Sequence, residues 1–383
     1  MDNLTHSLVG LAAAKAGLER LSPGATTLCV LAANSPDADI VTLIFGGRWA
    51  LLQHHRGISH SVVGAFTLAL ALPLIFYLVD WLVARARQRA RSIRLPGLML
   101  ASLVATATHP LLDWTNNYGV RFLLPWNPKW FYGDFVFIID PFLWIILGGA
   151  AFLLTSKTRT HVVVWLLIGL VPSYLVLVGP GSASVLTNEI LLRLLWIVAL
   201  IVLASLYRRN VGGQAGARIA MAALAIATIY CAGLAVTHAV ALRQAKFQAT
   251  TIAKMNTEEL VRVAAMPTVA NPTEWVCLME TNRATYRFNL SLFRNPATFA
   301  NMVRYEKPVG LEAEEVAQAA RDSRSQVFLG FARFAVVRVV GEDCATQTLV
   351  QFADLRYTEP GRARGTFSLD VPVECPTLAE RDK

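Results

Sequence analysis

Long apolar runs alternate with short polar connections along the chain until about Val240, and from there to Lys383 apolar and polar positions mix more evenly. About 20 consecutive apolar residues suffice to cross a bilayer as a helix. Six such runs predict spans at 62–84, 95–113, 136–156, 161–180, 188–207 and 217–239. Ahead of them lie two shorter apolar stretches, 6–21 and 24–33, with Ser22, Pro23 and Gly24 between them, a composition that predicts the turn of a helical hairpin. The final part opens with a polar helical stretch, TTIAKMNTEELVRVAAMP. It then becomes strand-rich through EWVCLMETNRATYRFNLSLF, SQVFLGFARFAVVRVVG, TQTLVQFADLRY and GTFSLDVPVE, the last two alternating with the period of half-buried strands. The expected fold is an α-helical polytopic membrane protein, an N-terminal hairpin plus about six transmembrane helices, followed by a soluble α+β, strand-rich domain. The boundaries fall at 1–240 and 245–383, and the second part is long enough for its own core.

Composition agrees: of 383 residues, 55% are hydrophobic and 16% charged, with mean hydropathy +0.46, too apolar for an ordinary soluble protein. Of the net charge of +9, +8 arises before residue 241, where seventeen basic residues face nine acidic ones. These basic residues gather in loops, Arg85 to Arg94, Lys157 with Arg159, and Arg208, Arg209 and Arg218, which are every second connection. That pattern is the positive-inside signature rather than a nucleic-acid footprint, since no basic stripe interleaved with aromatics accompanies it. It puts those loops in the cytoplasm of a bacterial inner membrane, and residues 53–61, the 114–135 connection and the C-terminal domain on the periplasmic side. The first residues lack a basic n-region and carry His6 and Lys15 in their apolar stretch, so a cleaved signal peptide is not expected.

Five of the seven histidines and five of the nine early acidic residues crowd into polar motifs in the first 140 residues. In THPLLDWTNNYG, His109 and Asp113 are four apart, on one face of a helix, a spacing that suits two ligands of one metal. Pro110 beside them removes a backbone N–H and is expected to distort that helix. NSPDAD puts Asp37 and Asp39 in a turn where two carboxylates repel unless solvated, protonated or bound to a cation. In HHRGISHS, Gly57 permits a turn that could bring His55 and His60 together, and Arg56 offers a fork matched to phosphate or carboxylate, or a snorkelling interfacial cation. Imidazoles mixed with carboxylates suit zinc, manganese or iron better than calcium. Asp134 and Asp140 are further ligands, partners that orient histidine, or helix caps; His54 and Asn117 are also candidates for the outer layer.

The motifs MDNLTHSLVG, NSPDAD, HHRGISHS, HPLLDWTNNYG and YGDFVFIIDP, in that order over residues 1–145, resemble those of the YdjM-type family of inner-membrane metal-dependent hydrolases. The resemblance implies a hydrolase and carries over His6, Asp37, Asp39, His55, His60, His109 and Asp113 as metal-site residues. A His-x-x-x-Asp pair after separate His and Asp motifs is also similar, by spacing alone, to zinc-dependent phospholipase C, although a later His-x-x-x-Glu pair is lacking.

The expected chemistry is therefore metal-activated water cleaving a phosphoester or lipid-linked substrate at the periplasmic face, with zinc the first candidate. Asp39 or Asp113 would act as base and Arg56 as anion binder. The alternatives are a metal or proton transporter, whose polar residues would be spread through several midplanes with inverted repeats, and a non-catalytic scaffold for the periplasmic domain. Cys277, Cys344 and Cys375 would face an oxidising compartment that permits one disulfide among the three, with no deducible pairing.

Overall fold

In a computed structural model, which describes residues 1–178, 186–293, 302–341, 347–362 and 365–374, the chain opens as a hairpin. Asp2 caps α1 (Asn3–Ala16) by accepting from the Thr5 backbone N–H at 2.9 Å and the Thr5 hydroxyl at 2.6 Å. A single 3₁₀ turn, Leu18–Arg20, and Gly24 at φ +82° return the chain into α2 (Ala25–Asn34). A 3₁₀ segment, Ser35–Val41, continues into α3 (Thr42–His54), and a second, Ile58–His60, leads to α4 (Val62–Ala86). Then come α5 (Leu95–Trp114), α6 (Pro141–Thr155), α7 (Arg159–Leu177), α8 (Leu186–Arg208), α9 (Val211–Ala215) and α10 (Ala217–Met255).

Among the described residues, six helical segments are long and apolar enough to cross a membrane: Ala25–His54, Val62–Ala86, Leu95–Trp114, Arg159–Leu177, Ile190–Arg208 and Ala217–Met255. Five coincide with predicted spans. The span expected at 136–156 is instead the 15-residue α6, about 22 Å long at 1.5 Å per residue. Its apolar lead-in is not helical, because Asp140 caps the helix and Pro141 takes its first position. The run Ala25–His54 gains its length by joining α2 and α3 through the 3₁₀ segment, with a break at Gly47. Pro110 does not interrupt α5, which continues to Trp114. The turn expected near 181–187 falls largely outside the described residues.

The chain divides into two compact units. The first comprises Met1–Ala38, Arg56–Val236 and Thr268–Pro272; the second comprises Asp39–His55, Thr237–Pro267 and Thr273–Lys383. Within the first, α1 lies between two apolar clusters, with most of its residues from Thr5 to Ala14 buried. On one side Ala14 packs with Leu28, Cys29, Ala32 and Ala33 of α2 and Leu98, Ala101 and Ala105 of α5. The approach is close: a Cβ on Gly10 would lie 2.6 Å from the Cys29 carbonyl oxygen. On the other side Leu8 and Ala12 meet Leu143, Trp144 and Leu147 of α6, with Trp196 and the α10 residues Ala223 and Ala227 behind them.

The second unit holds two antiparallel sheets. One runs β1 (Leu260–Thr268), β2 (Asn271–Thr281), β3 (Ala284–Ser291), β4 (Val303–Glu306), with Cys277 opposite Phe288. The alanines Ala241, Ala245 and Ala249 of α10, four apart on one face, join Trp275 and Tyr286 in its core. After α11 (Leu311–Ala319) and α12 (Ser323–Phe331), the other sheet runs β5 (Ala335–Val340), β6 (Gln347–Asp354), β7 (Ser368–Glu374).

Two local expectations are corrected here. The stretch read as a polar helix ends at Met255 and becomes strand β1, while the front of SQVFLGFARF forms α12, capped by Asp322. Cys277 is a buried free thiol, whose ionisation burial pushes up, while Cys344 and Cys375 lie outside the described residues.

Candidate metal centre

Four elements of the first unit deliver the site. α1 brings His6; the 3₁₀ segment after α2 brings Asp37; the turn before α4 brings His60; α5 brings His109 and Asp113. His60 is placed by the start of α4, where Ser61 accepts from the Gly64 N–H at 3.1 Å. Position 64 must be glycine, because any Cβ there collides with the Ile58 carbonyl.

His60 Nε2 lies 3.3 Å from Asp37 Oδ1 and 3.2 Å from Asp113 Oδ2. His109 Nε2 lies 3.5 Å from Asp37 Oδ1, 3.4 Å from Asp113 Oδ2 and 3.1 Å from His60 Nε2. These separations have a simple meaning. Four ligands each about 2.0–2.1 Å from one ion at tetrahedral angles stand roughly 3.3–3.4 Å apart. Five of the six separations among the four ligand atoms, 3.1 to 3.5 Å, thus lie near the edge length expected around a zinc-sized ion. The tautomer agrees, because His109 Nδ1 donates to the Ala33 carbonyl at 2.6 Å and leaves Nε2 as a lone-pair donor. His60, His109 and Asp113 are fully enclosed, whereas the Asp37 side chain keeps 14% of its exposure.

A layer of partners surrounds this set. His6 stacks on His109 with ring centroids 3.7 Å apart and places Nε2 3.3 Å from Asp113 Oδ1. Arg56, 2% exposed and at φ +52°, points Nη2 at Asp113 Oδ1 (2.9 Å) and donates from Nη1 to Asn116 Oδ1 (2.9 Å). Its guanidinium lies 4.6 Å from the Tyr118 ring centroid. The Met1 amino group also contacts Asp113.

Of the residues expected from sequence, Asp37, His60, His109 and Asp113 converge as ligand atoms and His6 stands against them. Asp39 and His55 belong to the second unit, where His55 Nδ1 and Asp39 Oδ1 are 2.9 Å apart. His54 is exposed at the end of α3. Arg56, expected as an anion binder, is buried with its guanidinium engaged by Asp113 and Asn116. Asp140 is a cap: it accepts from the Phe142 and Leu143 N–H groups at 2.9 and 3.1 Å, and from the Tyr230 hydroxyl at 2.9 Å. Asp134 is buried at φ +59°, and Asn117 is half-buried. Sequence reasoning missed Asn116, which lies just beyond the end of α5 and so outside its helical periodicity.

These features define a multi-pass inner-membrane protein with a buried His/Asp cluster of metal-binding geometry. The profile of the YdjM inner membrane protein family matches residues 1–183, and the chain belongs to that family. It is 31% identical over 161 residues to the inner membrane protein YbcI of Escherichia coli (strain K12), covering 41% of this chain and 82% of YbcI. It is 28% identical over 159 residues to the uncharacterized protein YfhP of Bacillus subtilis (strain 168), covering 38% of this chain and 43% of YfhP, less than half of that relative. No solved structure matches the chain.

Proposed function

We propose that the protein is a membrane-embedded, metal-dependent hydrolase acting on a phosphoester or lipid-linked substrate. The observation that carries the reading is the convergence of Asp37, His60, His109 and Asp113, three of them buried, with five ligand-atom separations between 3.1 and 3.5 Å. Zinc fits this donor set, and manganese or iron are the other candidates. A divalent ion bound there would lower the pKa of water and polarise a phosphoryl oxygen. The side chains have separable tasks. Ala33 fixes the His109 tautomer, Arg56 and Asn116 hold the Asp113 carboxylate in place, and Asp37, the most exposed of the four, is the carboxylate best placed to accept a proton from an incoming water. The alternation of basic loops supports a periplasmic address for the site and for the second unit, and a membrane address favours a lipid substrate.

One observation favours a second reading. Four protein donors complete a tetrahedron, as in structural zinc sites, whereas catalytic sites keep a position open. Under that reading the ion staples α5 to the turns before α3 and α4.

Metal content by mass spectrometry on detergent-purified wild type, His60→Ala and His109→Ala decides the first question. Near-stoichiometric metal in the wild type, lost in both variants, is the expected result; a wild type that stays metal-free after incubation with zinc and manganese sinks both readings. Hydrolysis of phosphomonoester, phosphodiester and phospholipid probes by the loaded protein then separates them. Turnover abolished by Asp37→Asn with metal retained supports catalysis, and no turnover with a large metal-dependent rise in Tm supports the staple.

A further inference from the structure

A crevice of about 340 Å³ opens in the first unit between α1, α6, α7 and α8. Its wall is hydrocarbon and indole. Trp144, Trp165 and Trp196 all line it, and each indole N–H is already bonded: to Asp2 Oδ1 at 3.1 Å, Thr155 Oγ1 at 2.6 Å and Ser173 Oγ at 3.2 Å. What the rings offer the crevice is therefore their apolar surface.

The crevice is also continuous with the surface that α7 turns to lipid. Leu166 and Leu170 line it while each remains 61% exposed. An apolar wall of this kind gives water no hydrogen-bonding partners, and dry apolar cavities take apolar guests. A helix from a second copy is about 10–12 Å across with its side chains, too broad for this volume. A single flexible hydrocarbon chain fits, and the surrounding medium is made of such chains.

The position of the crevice ties it to the metal centre. Along α6 it extends from Trp144 to Phe152, about 12 Å of helix. At one end it reaches Leu4 in the first turn of α1, and Trp144 there is bonded to Asp2, the neighbour of the Met1 amino group that contacts Asp113. We propose that this crevice binds one hydrocarbon chain of a membrane lipid, holding the molecule with its headgroup at the level of the His/Asp cluster. The inference rests on the lipid-substrate reading for its purpose, while chain binding is measured independently of metal.

Glycine supplies the test. Gly169 lines the crevice, and a Cβ added there meets nothing within 4 Å, so Gly169→Leu fills the space without a clash. Gly233 on α10 is also open to an added Cβ but does not line the crevice, so Gly233→Leu is the matched control. Wild type and both variants are reconstituted with a phospholipid bearing a diazirine on its acyl chain, photolysed and digested, and metal content is measured on the same samples. We expect labelling on the peptides carrying Trp165 and Trp196, at least fivefold lower in Gly169→Leu, unchanged in Gly233→Leu, with equal metal in all three. Equal labelling in Gly169→Leu and wild type, or wild-type labelling spread evenly over all lipid-facing helices, overturns the proposal. If Gly169→Leu does not fold, the wild-type label map alone decides. Focused labelling in a wild type that holds no metal keeps the chain site and removes the hydrolase reading, so the two fail separately.

Discussion

Asp113 is the residue on which the centre turns. It meets His60, His109 and His6 on one side and Arg56 on the other, and it is 1% exposed. A buried carboxylate is tolerated when opposite charge and donors surround it. Outer partners of this type typically contribute 10- to 100-fold to metal affinity. Arg56→Gln should therefore weaken metal binding by about that factor while leaving the fold intact, as read by competition with a chelator. Arg56→Lys should recover only part of the loss, because an ammonium cannot address Asp113 and Asn116 as a fork does. The ligands themselves were largely legible in the sequence: the His109–Asp113 interval is a helical repeat, and Asp37 and His60 stand out as polar groups in apolar surroundings. How the turns divide Asp37 from Asp39, and His60 from His55, between the two units was not legible. Each pair sits beside a turn, where a shift of a few residues reverses direction and no periodicity constrains the side chains.

At the scale of elements, turns decide more than helices. The 3₁₀ turn bearing His60 and the first turn of α4 share the space at Gly64, whose missing Cβ lets the Ile58 carbonyl approach. Gly64→Ala should cost about 1–3 kcal/mol, as forced contacts in packed interiors do, and should lower metal occupancy by displacing His60. Thermal unfolding and metal analysis of one preparation check both effects. Five spans were visible in advance because length and apolarity alone define a span, whereas the start of α6 was placed too early because its polar cap sits inside an apolar run. Strand β1 and helix α12 were misread where short mixed segments leave local pattern undecided between the two periods.

In the second unit, the sheet β1–β4 carries its own acid-sensitive group. Burial opposes the charged form of Glu258, but hydrogen bonds from Thr281, Arg304 and Tyr286 outweigh it and hold the carboxyl below its ordinary value. A depressed carboxyl stabilises the fold above its unfolded pKa, near ~4.3, and loses that contribution as pH falls through the lower folded value. Unfolding of this unit followed by Trp275 fluorescence in the full chain should thus be flat in pH from neutrality to about 5 and weaken below about 4.3. Glu258→Gln should lower stability at neutral pH and flatten that acid limb.

For the whole molecule, the question is which side of the membrane each part occupies. With native cysteines replaced, a cysteine at exposed Arg87 should resist an impermeant thiol reagent applied to spheroplasts, and one at exposed Glu314 should react. The reverse pattern would overturn the periplasmic address of the second unit without touching the metal centre.

The ligand set also fixes an order of events during synthesis. Its members span residues 37 to 113, and the last two arrive together on α5, the same helix whose His109 is pinned to the end of α2 through Ala33. Nascent chains released before Trp114 cannot close the centre, however well their first hairpin inserts. Metal acquisition would therefore be a late checkpoint for the first unit, and a ribosome stalled between α4 and α5 would leave the Asp37 carboxylate and the His60 imidazole without their counterparts.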